Sequence, residues 1–165
     1  MMKTCEALRR RMFALAGCDW TGEVCFKEGE ELSLLMDGER LTVEAPDISA
    51  AARGLFLAAC ALRDGKDIPE LHQTRHIASC GMMLDMSRGG VMTVEAVKGM
   101  IDAHAALGLN LMMLYTEDTY TVPEAPYLGY LRGRYTEKEL REMDDYAAES
   151  GVELVPCVQT LAHLE

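Results

Sequence analysis

Aromatic and basic residues are scarce in this chain. Only 6% of the 165 residues are aromatic, and 16 lysines and arginines stand against 27 aspartates and glutamates. The resulting net charge of −11 argues against nucleic acid and anionic membrane surfaces as partners, because both repel an acidic protein. No apolar run approaches the length of about 20 residues that spans a bilayer. A neutral ligand such as a sugar is compatible with all of these absences.

Motifs that hold metals, phosphates or disulfides are also missing. The six cysteines form no C-x-x-C pair, and none stands at metal-ligand spacing from one of the four histidines. There is no glycine-rich phosphate loop and no nucleophile elbow. Several cysteines lie inside apolar runs, which favours a reducing compartment over a disulfide framework. We therefore expect no metal, no other cofactor and a cytoplasmic location.

The N-terminus allows two interpretations. Residues 9–11 are basic, and residues 15–18 resemble a lipoprotein cleavage box. A secretory signal needs roughly 7–15 apolar residues after its basic segment, and only residues 12–16 are available. Because the apolar residues recur with helical spacing, the segment is predicted as an amphipathic helix over residues 3–16.

Residues 1–72 are predicted to form a small α+β domain with a few antiparallel strands. The strongest signal is Asp37-Gly38, since aspartate followed by glycine between alternating segments is typical of a hairpin. A polar, aperiodic linker around Pro69 separates this domain from the rest. The predicted elements after the first helix are a short strand over 23–27, hairpin strands over 31–36 and 40–44, and a helix from Asp47 or Ser49 to about Leu62.

Residues 73–165 carry a different pattern. Near-continuous apolar runs in residues 81–88, 109–120 and 152–163 each end in polar residues, as parallel strands buried on both faces do. Helical patterns separate these runs. The first is capped by Thr93, and the second begins with the capping box of Thr136 and Glu139. The alternation predicts an α/β fold containing the first three βα units of an incomplete TIM barrel, since a closed barrel needs about eight strands and 250 residues.

Polar residues at the predicted strand ends are the candidates for chemistry. Arg88 follows the first strand, and its guanidinium could grip two vicinal hydroxyls or a carboxylate. It could equally form a salt bridge to Asp85 or Glu117. Glu117 and Asp118 are adjacent, so on a regular strand they face opposite sides, one toward the barrel mouth and one toward a loop. A solvated strand end without a function is the equal alternative for this pair. His163 ends the third run, and a lone histidine there could bind a hydroxyl or be purely structural.

The long loop over residues 122–135 follows the second strand and is rich in tyrosine and arginine. A loop of this length at the carboxyl end of a strand is commonly functional. Tyrosine and arginine together suit sugar faces and hydroxyls, and they also suit a protein interface.

Taken in order, the segments GMMLDMSR, LNLMMLYTEDTY, PYLGYLRGRYT and VELVPCVQTLAHL resemble the start of the barrel of family 20 glycoside hydrolases, the β-N-acetylhexosaminidases. Residues 41–62 resemble the helix of the small α+β domain that precedes that barrel. The resemblance implies retaining hydrolysis of terminal N-acetylhexosamine, in which the acetamido oxygen of the substrate is the nucleophile, an exception to the two-carboxylate scheme. It further implies substrate-binding roles for Arg88, Asp118 and His163.

The same resemblance implies that the catalytic Asp-Glu pair closes a fourth strand, so this chain is expected to contain no catalytic residue. The prediction is an N-terminal part of a β-N-acetylhexosaminidase that acts on an N-acetylhexosamine-containing glycan and is inactive as a fragment. Two alternatives remain at this point: a non-catalytic sugar-binding fragment and a different (β/α) barrel enzyme. The sequence does not give the oligomeric state or the choice between gluco and galacto sugars.

Overall fold

The computed structural model describes residues 2–159, in which two β-sheets flank two layers of helices. No helix in this described part of the chain combines the length and hydropathy that a membrane span requires. The elements in chain order are α1 (Met2–Ala16), β1 (Glu23–Glu28), β2 (Leu32–Asp37), β3 (Arg40–Ala45), α2 (Ile48–Arg63), β4 (His72–Gln73), β5 (Gly81–Asp85), α3 (Val94–Leu107), β6 (Leu111–Tyr115), α4 (Glu137–Ala148) and β7 (Glu153–Cys157).

The helices begin and end where their capping residues predict. The side chain of Asp47 accepts a hydrogen bond from a backbone N–H in the first turn of α2, and Thr93 does the same for α3. Helix α3 ends at Gly108, which takes the left-handed conformation that glycine adopts without strain. Thr136 and Glu139 form the predicted capping box of α4.

The first sheet has the strand order β1-β3-β2-β4. The predicted hairpin around Asp37-Gly38 is confirmed, since β2 and β3 pair antiparallel. The prediction of a few antiparallel strands is thus confirmed for β2 and β3, and it is wrong for β1, which runs parallel to β3. The chain reverses twice between these two strands, and the tight turn already pairs β3 with β2. Strand β1 therefore pairs with the remaining free edge of β3 and runs in the same direction as β3. Strand β4 pairs with β2, so the predicted division between residues 72 and 73 falls inside a strand of this sheet.

The second sheet is parallel, with the order β5-β6-β7. The three apolar runs therefore form the predicted strands, although each strand is shorter than its run. The strands end level with one another, because Asp85, Tyr115 and Cys157 stand opposite each other in the register. The polar residues that follow are consequently presented by loops at one edge of this sheet.

Each helix layer packs on its own sheet and against the other layer. Helix α2 covers β2 and β3, while α3 and α4 cover β6 and β7. Gly54 allows α2 to lie close to the first sheet, since a Cβ atom there would come within 2.7 Å of the Leu32 side chain. Leu55 on α2, Ile101 on α3 and Met112 on β6 are fully buried in the core that results.

A polar cluster joins α1 to α3 and α4. The Arg11 guanidinium donates from Nε to Asp102 Oδ1 at 2.7 Å, and it lies 3.5 Å from the ring centroid of Tyr146. The Tyr146 hydroxyl donates to the other carboxylate oxygen of Asp102 at 2.9 Å. Burial, followed by this hydrogen bond, raises the pKa of Tyr146 to about 12. We call these three residues the Arg11 cluster.

Candidate functional site

Strand β6 ends at Tyr115, and the chain then turns sharply instead of continuing as a strand. Thr119 closes the turn, with its backbone N–H and its hydroxyl both donating to the carbonyl of Thr116, at 2.9 and 2.7 Å. Glu117 lies within the turn at φ 48°, a left-handed conformation that is uncommon for residues other than glycine. The expectation that Glu117 and Asp118 lie on an extended strand is therefore wrong.

Glu117 is the buried carboxylate at the centre of the site. Its side chain is only 9% exposed and accepts a hydrogen bond from the Tyr115 hydroxyl at 3.1 Å. Two guanidinium groups flank it, since Arg88 Nη2 and Arg132 Nη1 each lie 3.8 Å from one of its carboxylate oxygens. Partial burial and the hydrogen bond to Glu117 raise the pKa of Tyr115 above its ordinary value, so the phenol stays protonated and donates.

Arg88 is held loosely beside this carboxylate. Its side chain is 70% exposed, and 3.8 Å is too long for a hydrogen bond to Glu117. Of the two salt-bridge partners considered from the sequence, the structure places Glu117 nearest. Because most of the guanidinium donors face solvent, they are available to a ligand.

Asp85 supports the loop that carries Arg88. Its carboxylate accepts hydrogen bonds from the hydroxyl of Ser87 at 2.6 Å and from the backbone N–H of Ser87 at 2.8 Å. These bonds, the hydroxyl bond foremost, hold the pKa of Asp85 below its usual range. The carboxylate therefore remains ionised near neutrality and fixes the start of the loop.

Asp118 points toward the long loop. Arg132 Nη1 lies 2.5 Å from its Oδ1 atom, and the two side chains are partly buried. The family resemblance implied substrate binding for Asp118, and in this structure its carboxylate is engaged with a neighbouring arginine. Arg132 thus bridges the two adjacent carboxylates, which the alternation of a regular strand would have kept apart.

The site thus contains two of the three predicted binding residues, Arg88 and Asp118, and joins them through Glu117 and Arg132. The third, His163, lies outside the described residues. Sequence reasoning named Glu117 only as one of a pair, and it named Arg132 only within a loop. The signal that could have singled out Glu117 is the run Thr116 to Thr119, since short polar residues around a carboxylate favour a turn. Among the residues described, no group of three histidine, cysteine or acidic side chains is placed to hold a metal.

Comparisons with known proteins place this geometry in context. No family model matches the chain. In an alignment of 93 positions that covers 51% of this chain, it is 30% identical to a chitooligosaccharidolytic β-N-acetylglucosaminidase from Bombyx mori, and it spans 15% of that protein.

Solved structures resemble the chain over nearly its whole length. A family 20 β-N-acetylglucosaminidase superposes with a TM-score of 0.71 and 26% identity, over 94% of this chain and 36% of that one. The chitobiase of Flavobacterium johnsoniae gives a TM-score of 0.69 and 23% identity, over 91% of this chain and 28% of that one. The chain therefore spans about a third of the length of the solved structures that it matches. The resemblance indicated by the strand-end motifs is confirmed, because the chain is similar in sequence and in fold to β-N-acetylglucosaminidases, among them one of glycoside hydrolase family 20.

Proposed function

We propose that this chain is part of a retaining β-N-acetylhexosaminidase that removes terminal N-acetylglucosamine or N-acetylgalactosamine from glycans. In substrate-assisted catalysis, the acetamido oxygen of the substrate attacks the anomeric carbon, while a carboxylic acid protonates the leaving oxygen. We assign the Asp-Glu pair of this reaction to strands of the incomplete TIM barrel that lie outside these 165 residues. The residues of this chain would then contribute to binding the terminal sugar.

The observation that carries the proposal is the pairing of an exposed Arg88 with a buried Glu117 at the carboxyl edge of the parallel sheet. A planar guanidinium presents a fixed fork of donors that suits two neighbouring hydroxyl groups of a pyranose. Glu117 balances the charge of Arg88 without accepting a short hydrogen bond from it. The arginine is thereby kept near the site by charge while its donors stay free for the sugar.

The test is to replace Arg88 by alanine in the full-length protein and to measure hydrolysis of a chromogenic N-acetyl-β-glucosaminide. Loss of a charged hydrogen-bonding group should lower kcat/KM about 100-fold, equivalent to about 3 kcal/mol. Arg141, an exposed arginine paired with Glu137 on α4, provides the matched control, and Arg141→Ala should change kcat/KM less than twofold. An Arg88→Ala enzyme with the wild-type value would reject the sugar-binding role.

Calorimetry distinguishes the enzyme from a sugar-binding module. Binding of N-acetylglucosamine without hydrolysis by the full-length protein would favour the module, and neither binding nor hydrolysis would favour a different barrel enzyme. We also propose a cytoplasmic location, which six free cysteines support, and no nucleic-acid or membrane partner, which the net charge of −11 supports.

A further inference from the structure

Two backbone positions beside the site are held in an uncommon conformation. In the part of the chain that the structure describes, Glu117 and Leu131 are the non-glycine residues with positive φ, at 48° and 65°. Each directly precedes one member of the ion pair between Asp118 and Arg132. Residues other than glycine are strained in this region of φ, and they persist there where the surrounding structure holds them, often at functional sites. The ion pair therefore joins two strained turns, one after β6 and one in the long loop.

Arg132 reaches both adjacent carboxylates through a single nitrogen. Its Nη1 atom lies 2.5 Å from Asp118 Oδ1 and 3.8 Å from Glu117 Oε2. The backbone around it is fixed, because the N–H of Arg132 donates to the carbonyl of Gly129 at 3.0 Å. Gly129 in turn lies against the turn after β6, since an added Cβ atom would stand 2.2 Å from the Asp118 carbonyl oxygen. The long loop therefore holds one positive charge at a defined place beside the two carboxylates.

The two oxygens of the Glu117 carboxylate face different arginines. Oε1 accepts from the Tyr115 hydroxyl at 3.1 Å and lies 3.8 Å from Arg88 Nη2. Oε2 lies 3.8 Å from Arg132 Nη1. Both distances to arginine exceed hydrogen-bonding range, so Glu117 lies between two positive charges and forms a short ion pair with neither. Without the charge of Arg132, the two adjacent carboxylates would face Arg88 alone, and Coulomb attraction would draw its guanidinium onto Glu117.

We propose that Arg132 is a positioning residue that keeps Arg88 available to the terminal sugar. This inference rests on the proposed function, in which Arg88 donates to sugar hydroxyls. Arg132 supplies Glu117 with a second positive charge and so prevents a short salt bridge between Glu117 and Arg88. Such a salt bridge would occupy the guanidinium donors that the sugar needs. Arg132 acts in this way without contacting the sugar, so its removal weakens substrate binding only through Arg88.

The experiment is a double-mutant cycle in the full-length enzyme, read out as hydrolysis of a chromogenic N-acetyl-β-glucosaminide. Arg132→Gln keeps a long polar side chain and removes its charge, and it should raise KM about tenfold while kcat stays within about threefold. In the Arg88→Ala background the same substitution should change kcat/KM by less than about twofold, because the residue through which it acts is gone. Arg132→Lys should return KM to within about threefold of the wild type, since a single charged nitrogen serves both carboxylates.

Two further variants separate a charge effect from damage to the loop. Arg134 lies in the same loop, and its Nη1 atom donates to the backbone carbonyls of Pro126 and Leu128, at 3.1 and 2.7 Å. Because Arg134 supports only backbone, Arg134→Ala should change kcat/KM by the same factor with and without Arg88→Ala. Asp118→Asn/Arg132→Gln removes the ion pair as a unit and leaves no partly buried carboxylate unpaired. It should show the same dependence on Arg88 even if urea unfolding finds Arg132→Gln alone unfolded.

The outcomes separate this inference from the proposed function. If loss of the Arg132 charge lowers kcat/KM by the same factor in both backgrounds, Arg132 only supports the loop, which overturns the inference and leaves the proposed function standing. A KM that this loss leaves unchanged in the otherwise wild-type enzyme overturns it as well. If Arg88→Ala alone has the wild-type kcat/KM, the sugar-binding role of Arg88 is rejected, and the inference falls with it.

Discussion

The two sheets of this protein differ in the face that points away from the helices. In the first sheet that face is mostly polar. It carries Ser33 on β2 and Thr42 on β3, and Leu35 on β2 is an isolated apolar residue there. In the second sheet the corresponding row is Met83, Met113 and Val155, which is apolar throughout. A sheet like the first, in which β2 pairs antiparallel on both sides, can leave one face to water, whereas an all-parallel sheet is normally covered on both. The first sheet therefore suits a solvated face, and the second suits a covered one.

The largest expected effect tests this difference directly. Met83 and Leu35 are similarly exposed in this chain, at 54% and 63%, so Met83→Lys and Leu35→Lys form a matched pair. If the full-length protein covers the second sheet, Met83→Lys buries a charge and should lower the free energy of unfolding by about 3 kcal/mol. Leu35→Lys should change it by less than about 0.5 kcal/mol. Urea unfolding measures the free energy of unfolding of both variants. Equal losses would contradict the view that the second sheet is covered and the first sheet is solvated on this face.

A second variant tests how firmly the two sheets are joined. Asp102→Asn removes the nearer of the two carboxylates beside the buried Arg11 guanidinium and leaves only the half-exposed Glu149 at 3.6 Å, and we expect a loss of about 2 kcal/mol because a poorly compensated buried charge is costly. Glu137→Gln removes an exposed partner of Arg141 instead and should cost less than about 0.5 kcal/mol. Chemical denaturation of both variants provides the measurement. If Asp102→Asn lowers the free energy of unfolding no more than Glu137→Gln does, the Arg11 cluster contributes little to holding α1 against α3 and α4.

The smallest expected effect is a change in the free energy of unfolding at alkaline pH. The pKa of Tyr146 is about 12 in the folded chain, above the ordinary value of about 10, so the folded state holds the phenolic proton more tightly. This contribution is fully present below about pH 10 and is lost as the pH rises toward 12. Tyr146→Phe should therefore be less stable by about 1 kcal/mol at pH 8, and the difference should shrink between pH 10 and 11.5. A difference that is constant over this interval in urea titrations would contradict the assignment.

Local signals in the sequence predicted most of the elements. The hairpin at Asp37-Gly38 and the helix caps at Thr93 and Thr136 each depend on neighbours within a few residues. The three parallel strands also followed from their apolar runs. These features could be predicted because the residues that determine them are adjacent in the chain.

Contacts between distant residues could not be predicted in this way. Arg11 and Asp102 are 91 positions apart, and nothing near either residue specifies the other. The parallel pairing of β1 with β3 depends on which edge the hairpin leaves free. At the site, Glu117 has a left-handed backbone conformation, so the alternation of a regular strand does not apply. This turn brings the carboxylates of Glu117 and Asp118 to Arg132.

The contact of α2 with α3 has a consequence for synthesis on the ribosome. Residues of the first sheet and its two helices emerge before any strand of the second sheet, and domains generally fold in that order. Helix α3 can then pack against the already folded helices α1 and α2 while β6 and β7 are still being synthesised. A chain begun at β5 would lack that surface, so the first sheet and its helices would offer the second sheet a preformed surface during synthesis.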